Sequence, residues 1–251
     1  MLTIFKSMSV PRIEQIDTGV SFKTRQMKCD ARLPGVPSML GDRSGHQSMF
    51  CGPSGSGKTS LMMAMLTNKH LFRKVFDTIL IFMPPSSRAS LPNKMLESLE
   101  YPPFDQLDAG TLDQAMDIIE SNSDQDPPLN TLVIFDDVTA ALKDHSTLKG
   151  LTHLSFARRH LRCSIWMLTQ TLVSVPLNLR KNFTHLFLFR PRNFKEITHL
   201  FEEYTASRSE AEALIAAVWH EPHDVLLLHT ESGSKWRISG NRVLELRMDQ
   251  R

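Results

Sequence analysis

Residues 51–60 read CGPSGSGKTS, a run of small, flexible residues between an apolar stretch, HQSMFC (46–51), and a helix-forming one, KTSLMMAML (58–66). Such residues weaken strands and helices alike, so they suit a junction where the backbone must turn tightly or approach a ligand closely. From Gly52 to Thr59 the spacing is G-x-x-x-x-G-K-T. In that pattern the glycines let backbone N–H groups converge on a phosphate, and the helix that follows adds the positive end of its dipole. Gly52, Pro53, Ser54, Gly55, Ser56, Gly57, Lys58, Thr59 and Ser60 are the candidate nucleotide-binding residues. Lys58 should reach the β- and γ-phosphates, and the Thr59 hydroxyl should hold magnesium.

A triphosphate site also needs groups that complete the metal's shell and activate water. The run TLVIFDD (131–137) reads as a fully buried strand that ends in two carboxylates. Adjacent carboxylates at the tip of so apolar a strand are costly unless a cation neutralises them. Asp136 suits the magnesium contact, and Asp137 can orient or deprotonate the attacking water. CSIWMLTQ (163–170) is a further strand, expected between the phosphate-loop strand and the carboxylate strand, with Gln170 at its tip. An amide there both donates and accepts hydrogen bonds, so it can read a γ-phosphate or place a water.

Around these motifs the pattern alternates. Strands are expected at 46–51, 77–83, 131–137, 163–170, 185–190 and 224–229, and helices at 58–66, 108–121, 145–160, 194–203 and 207–219. Pro84 and Pro85 stop the second strand, and Asp108 or Thr111 can cap the helix after it. The Met-rich LMMAM reads as core packing. The fold class is α/β, three-layered, with a mainly parallel sheet covered on both faces. The tail 231–251 looks like a basic hairpin of the same domain, 46–230 is the core, and 1–45 is an N-terminal extension packing on it.

Net charge is only +2, yet residues 97–137 hold eleven Asp/Glu and no Lys/Arg, while 156–195 hold eight Lys/Arg and no Asp/Glu. That asymmetry suits either separate solvated faces or a polyanionic partner. Arg158, Arg159, Arg162, Arg180, Arg190 and Arg192 are open to three readings: helix-end capping, nucleic-acid contact, or an arginine that completes a neighbouring subunit's site. Three cysteines without CxxC spacing fit a reducing compartment. No apolar run approaches the roughly 20 residues that span a bilayer, and no signal peptide is evident. The histidines lack paired ligand spacing, so no transition-metal site is assigned.

No NKxD or DxxG follows the phosphate loop, which disfavours a GTPase, and no LSGGQ-like stretch points to an ABC-type enzyme. A nucleotide kinase and a non-hydrolysing ATP-dependent scaffold stay open on the loop alone.

Taken together, GPSGSGKT, LVIFDD and RRHLRCSIWMLTQ followed by PLNLRKNFTHLFLF resemble the poxvirus-type genome-packaging ATPases, of the FtsK/HerA group of P-loop enzymes. The resemblance spans about residues 46–230 and implies a core sheet of order 5-1-4-3-2 with added strands at the ends. It also implies an ATP- and magnesium-dependent ring, a pentamer or hexamer, that pumps double-stranded DNA into a preformed capsid or its portal vertex. That places the protein in the host cytoplasm or viral factory, or with the virion. A plasmid or conjugative DNA pump is the nearest alternative. By the same similarity Lys58, Thr59, Asp136, Asp137 and Gln170 carry nucleotide and catalytic roles. Arg159 would be the trans-acting arginine, with Arg158, Arg162 and Arg180 as fallbacks. The chain departs from many relatives in Asp137, where they have Glu, and in Arg158, where they often have Gly.

Overall fold

In the computed structural model, which describes residues 31–88, 91, 96–192, 203–204 and 207–247, eight strands form one sheet. Strands β1 (Gln47–Cys51), β2 (Thr78–Phe82), β3 (Thr131–Asp136), β4 (Cys163–Thr169) and β5 (His185–Phe189) are parallel. β6 (Val225–His229), β7 (Lys235–Ser239) and β8 (Arg242–Leu246) continue from β5 in antiparallel fashion. The order is β2-β3-β4-β1-β5-β6-β7-β8, so the parallel part reads 5-1-4-3-2. The added strands, expected at the ends, all lie on one edge beyond β5.

Successive side chains of a strand face opposite ways, and the buried central strands use both faces. Met49, Leu80, Val133, Phe135, Ile165, Met167 and Leu186 point to one core cluster. It is covered by α3 (Ala109–Ser123), α4 (His145–Ala157) and α5 (Arg208–Val218). Phe50, Ile81, Ile134, Trp166 and Phe187 point to the other, under α1 (Lys58–Thr67) with Met62 and Met65, and under Leu33, Val36 and Leu40 from the segment before β1. That gives three layers with the sheet in the middle.

The helices start where capping chemistry dictates. Asp108 accepts from the Thr111 amide at 2.8 Å while Thr111 Oγ1 accepts from the Asp108 amide at 3.0 Å, a reciprocal cap for α3. Asp144 caps α4 from one side only, its Oδ2 accepting from the Thr147 amide at 2.8 Å and from Thr147 Oγ1 at 2.9 Å. α4 ends at Ala157, three residues before the expected 160. There the Arg158 guanidinium folds back onto the Ser155 carbonyl, and Arg162, in left-handed backbone (φ 47), turns the chain into β4. The helix expected at 194–203 lies outside the described residues apart from Glu203, as do residues 1–30 of the N-terminal extension. Among the described residues no helix is long and apolar enough to cross a membrane.

Two buried histidines tie stability to pH. Burial pulls the His46 pKa from its ordinary 6.5 to about 4, and burial with neighbouring His46 and His229 pulls that of His185 to about 2. Both are neutral in the fold yet protonate freely once unfolded. As pH falls from 6.5 towards 4 the unfolded chain therefore binds more protons and stability drops. Asp136 opposes this: burial first, then Asp137, raises its pKa from 3.8 to about 6, so it contributes stability as pH falls below 6. Two histidines outweigh one carboxylate. Thermal melts should show a falling melting temperature between pH 6.5 and 4.5, and a flat or rising trend would contradict this balance.

Candidate nucleotide site

All five parallel strands end at one edge of the sheet, and the loops that leave this edge build the site. β1 runs directly into the glycine loop, whose Gly52 amide donates to the Thr169 carbonyl of β4 at 3.1 Å. The loop is sterically committed at two glycines. A Cβ on Gly52 would lie 2.6 Å from Phe189 Cβ, and Gly57 has φ 102, which side-chain-bearing residues rarely adopt. Gly57 then opens α1, whose first hydrogen bond runs from the Leu61 amide to the Gly57 carbonyl at 2.9 Å.

A cavity of about 400 Å3 lies over this loop, lined by residues that include Lys58, Thr59, Asp136, Asp137, Gln170 and His223. Lys58 Nζ donates to the carbonyls of Gly52 (2.7 Å) and Pro53 (3.0 Å). Burial holds its pKa below the ordinary lysine range, against the opposing pull of Asp136, Cys51 and Asp137. Asp136 closes β3 and is 6% exposed, whereas Asp137 stands exposed just past the strand in left-handed backbone (φ 54). Asp and Asn tolerate that conformation better than other residues with side chains. Gln170 Nε2 donates to Asp137 Oδ1 at 3.2 Å.

Thus Ser54, Gly55, Gly57, Lys58, Thr59 and Ser60 of the loop, both carboxylates and the glutamine line one cavity, brought there by β1, β3 and β4 lying side by side, whereas Gly52, Pro53 and Ser56 are not part of its lining. The donor set fits a hard divalent cation: the Thr59 hydroxyl and the Asp136 carboxylate line the same cavity, and burial first, then the neighbouring Asp137, raises the Asp136 pKa to about 6.

None of the six candidate arginines lines this cavity. Arg158 and Arg159 line a second cavity, about 240 Å3, with His46, His185 and His229. Those residues flank the opposite edge of the sheet, where β1 and β5 begin. Arg158 is buried and donates to the Ser155 and Asn182 carbonyls. Arg159 is exposed. Arg162 reaches the Pro128 carbonyl at 3.4 Å, and Arg180 pairs with Glu203 at 2.8 Å. Arg192 contacts the phosphate loop itself, donating to the Ser54 carbonyl at 3.4 Å. In the C-terminal hairpin, Lys235 pairs with Glu210 and Arg237 with Asp224, so two of its cations are engaged within the protein.

Sequence reasoning missed Ser86 and Ser87 of the short helix α2 (Pro85–Arg88), Leu168 near the end of β4, and His223 from the turn before β6. The signal for His223 was the direction of β6. An antiparallel strand next to β5 begins at the edge where β5 ends, so its leading turn falls beside the phosphate loop.

A family model for the poxvirus A32 protein matches residues 43–215. No match was found among curated proteins. Among solved structures, the genome packaging NTPase B204 of Sulfolobus turreted icosahedral virus 2, in complex with ATP-gammaS, matches with a TM-score of 0.56 at 14% identity, covering 82% of this chain and 99% of that one. B204, the DNA-packaging ATPase of Sulfolobus turreted icosahedral virus, matches with a TM-score of 0.59 at 13% identity, covering 79% and 98%. ATPases 2 and 3 of EssC from Geobacillus thermodenitrificans match with a TM-score of 0.54 at 15% identity, covering 80% of this chain and 39% of that one. At such identities the likeness is one of fold, a P-loop ATPase sheet. The family match spans well over half of the 251 residues and includes the phosphate loop, the carboxylate strand and the glutamine strand. With that coverage, the chain belongs to the poxvirus A32 protein family.

Proposed function

We propose that this protein hydrolyses ATP to drive double-stranded DNA into a preformed viral capsid, acting as a ring of identical subunits. The observation that carries the reading is that Lys58 and Thr59, which open α1, Asp136 and Asp137 at the end of β3, and Gln170 just past β4 line one cavity. Family membership and the fold shared with viral packaging ATPases supply its direction.

In this reading the backbone of Gly52–Thr59 cradles the phosphates. Lys58 leaves its two loop carbonyls for the β- and γ-phosphates. Thr59 and Asp136 would hold magnesium, which when bound neutralises charge on the phosphate oxygens. Asp137 orients the attacking water and takes its proton, while the Gln170 amide fixes the Asp137 carboxylate and stands ready to contact water or γ-phosphate. Among the described residues, none of Arg158, Arg159, Arg162 and Arg180 lines the subunit's own nucleotide cavity. This suits an arginine acting across a ring interface, and Arg159, exposed at the far edge of the sheet, is our choice for it. DNA contact falls to exposed cations such as Arg190 and Arg192, which touch phosphates without reading sequence.

The test is turnover by the purified full-length protein with magnesium, with and without long duplex DNA. We expect ATP hydrolysis that duplex DNA stimulates, and DNA affinity that falls steeply with salt. Hydrolysis indifferent to DNA, or transfer of the γ-phosphate to a nucleotide acceptor, would overturn the translocase reading.

A further inference from the structure

His223 belongs to none of the motifs discussed above, yet its side chain borders the nucleotide cavity. Its Nδ1 lies 2.8 Å from the Ser56 carbonyl oxygen. A carbonyl only accepts, so Nδ1 carries the hydrogen and donates. The ring also lies over Gly57, where an added Cβ would stand 3.2 Å from Nδ1. The residue itself is in left-handed backbone, φ 68.

The turn that presents it is anchored from behind. Asp224 is 2% exposed, and its Oδ2 accepts from the His220 amide (3.0 Å), the Glu221 amide (2.7 Å) and Arg237 Nη2 (2.8 Å). Arg237 belongs to β7 of the C-terminal hairpin. A continuous path of contacts therefore runs from the hairpin through Asp224 and the turn to the phosphate loop.

The Ser56–Gly57 peptide is the point where this path acts. A trans peptide is planar, with its C=O and N–H directed oppositely, so the group that fixes the Ser56 carbonyl also fixes the Gly57 amide. Gly57, lacking a side chain, offers little resistance to a peptide flip. A flip would exchange an amide hydrogen for a carbonyl oxygen on the phosphate side, turning attraction into repulsion.

We propose that His223 is a positioning residue of the phosphate loop: by holding the Ser56 carbonyl it keeps the Gly57 amide set for a nucleotide phosphate. This rests on the ATP-binding function proposed above and adds a component to it that no phosphate-loop pattern contains.

The experiment compares His223→Gly with His223→Asn in the full-length chain. Both residues accept left-handed backbone, but only asparagine keeps an N–H donor near the position of Nδ1. Affinity for a fluorescent ATP analogue and the split between KM and kcat are measured, with melting curves to confirm folding. His223→Gly should weaken binding and raise KM about tenfold, the size expected for one lost hydrogen bond, with kcat changed less than about threefold. His223→Asn should restore KM to within about threefold of wild type. If the two variants behave alike, whether both like wild type or both impaired, this inference is wrong while the proposed function stands. A wild-type protein that binds no ATP analogue overturns the function and this inference together.

Discussion

Asp137→Asn should lower ATP turnover by about 10²–10⁴, the usual contribution of a positioned general base, while nucleotide binding and the melting temperature stay near wild type. The substitution is unusually clean. Asp137 is exposed, so its loss opens no cavity, and asparagine accepts the φ of 54 that aspartate adopts here. The amide oxygen of asparagine can still accept from Gln170 Nε2, which lies 3.2 Å from the carboxylate now. Only the charge and the basicity go. Neutralising residue 137 also removes one of the two influences that raise the Asp136 pKa to about 6, leaving burial, so Asp136 should ionise more readily and its cation site should survive. Lys58→Ala makes the contrast: loss of about 10²–10³ in turnover together with weakened nucleotide binding, because its ammonium serves the phosphates directly. If Asp137→Asn turned over ATP within a few-fold of wild type, the water-activating role would have to move to another group. If it lost nucleotide binding along with turnover, Asp137 would be part of the phosphate or metal shell instead.

How much of this site could be read from the chain depended on how local its causes are. The phosphate loop was legible because its chemistry is contained in eight consecutive residues whose glycines have no other purpose. Asp136 and Asp137 were legible because two carboxylates closing an apolar strand are costly without a cation. Buried strands alternating with helices gave the three-layered α/β class, whereas the parallel order 5-1-4-3-2 came only with the resemblance to the packaging ATPases, and the added strands fell on one edge instead of both. His223 was not legible, because its place depends on β6 running antiparallel to β5. The long segment between those strands would serve a parallel crossover equally well, and only tertiary packing decides. Ser86 and Ser87 were hidden for a similar reason, in a connection that proline and polarity marked simply as loop. The basic stretch 156–195 shows the limit of charge counting. Its cations divide between Arg158, buried against backbone carbonyls, Arg180, paired with Glu203, and residues such as Arg159, Arg190 and Arg192 left exposed. Sequence gives the sum of such charges but not their neighbours.

Trp166→Ala should cost about 3–5 kcal/mol of stability, as large-to-small aromatic substitutions in cores do. In a chain of this length that corresponds to a melting temperature lower by roughly 10 °C. Trp166 sits in the middle of β4 and is fully buried. Its ring meets Phe50 at 5.5 Å, Phe72 at 5.0 Å and Phe76 at 6.2 Å between centroids. Its indole Nε1 donates to His46 Nε2 at 2.8 Å, so the substitution removes apolar contacts and also strips a buried acceptor of its donor. Trp166→Phe separates the two effects: most of the apolar volume stays, and the remaining loss, about 1–3 kcal/mol, reflects the unsatisfied imidazole nitrogen. The phenylalanine variant should also weaken the acid sensitivity described above, because that indole N–H is what His46 accepts in its neutral form. Both variants are read by thermal melts at pH 7.5 and pH 5. A Trp166→Ala protein melting within about 2 °C of wild type would mean that this cluster contributes little to holding β4. The tip of that strand carries Thr169 and Gln170 into the nucleotide cavity, so their positions would then have to be fixed by the opposite face of the sheet.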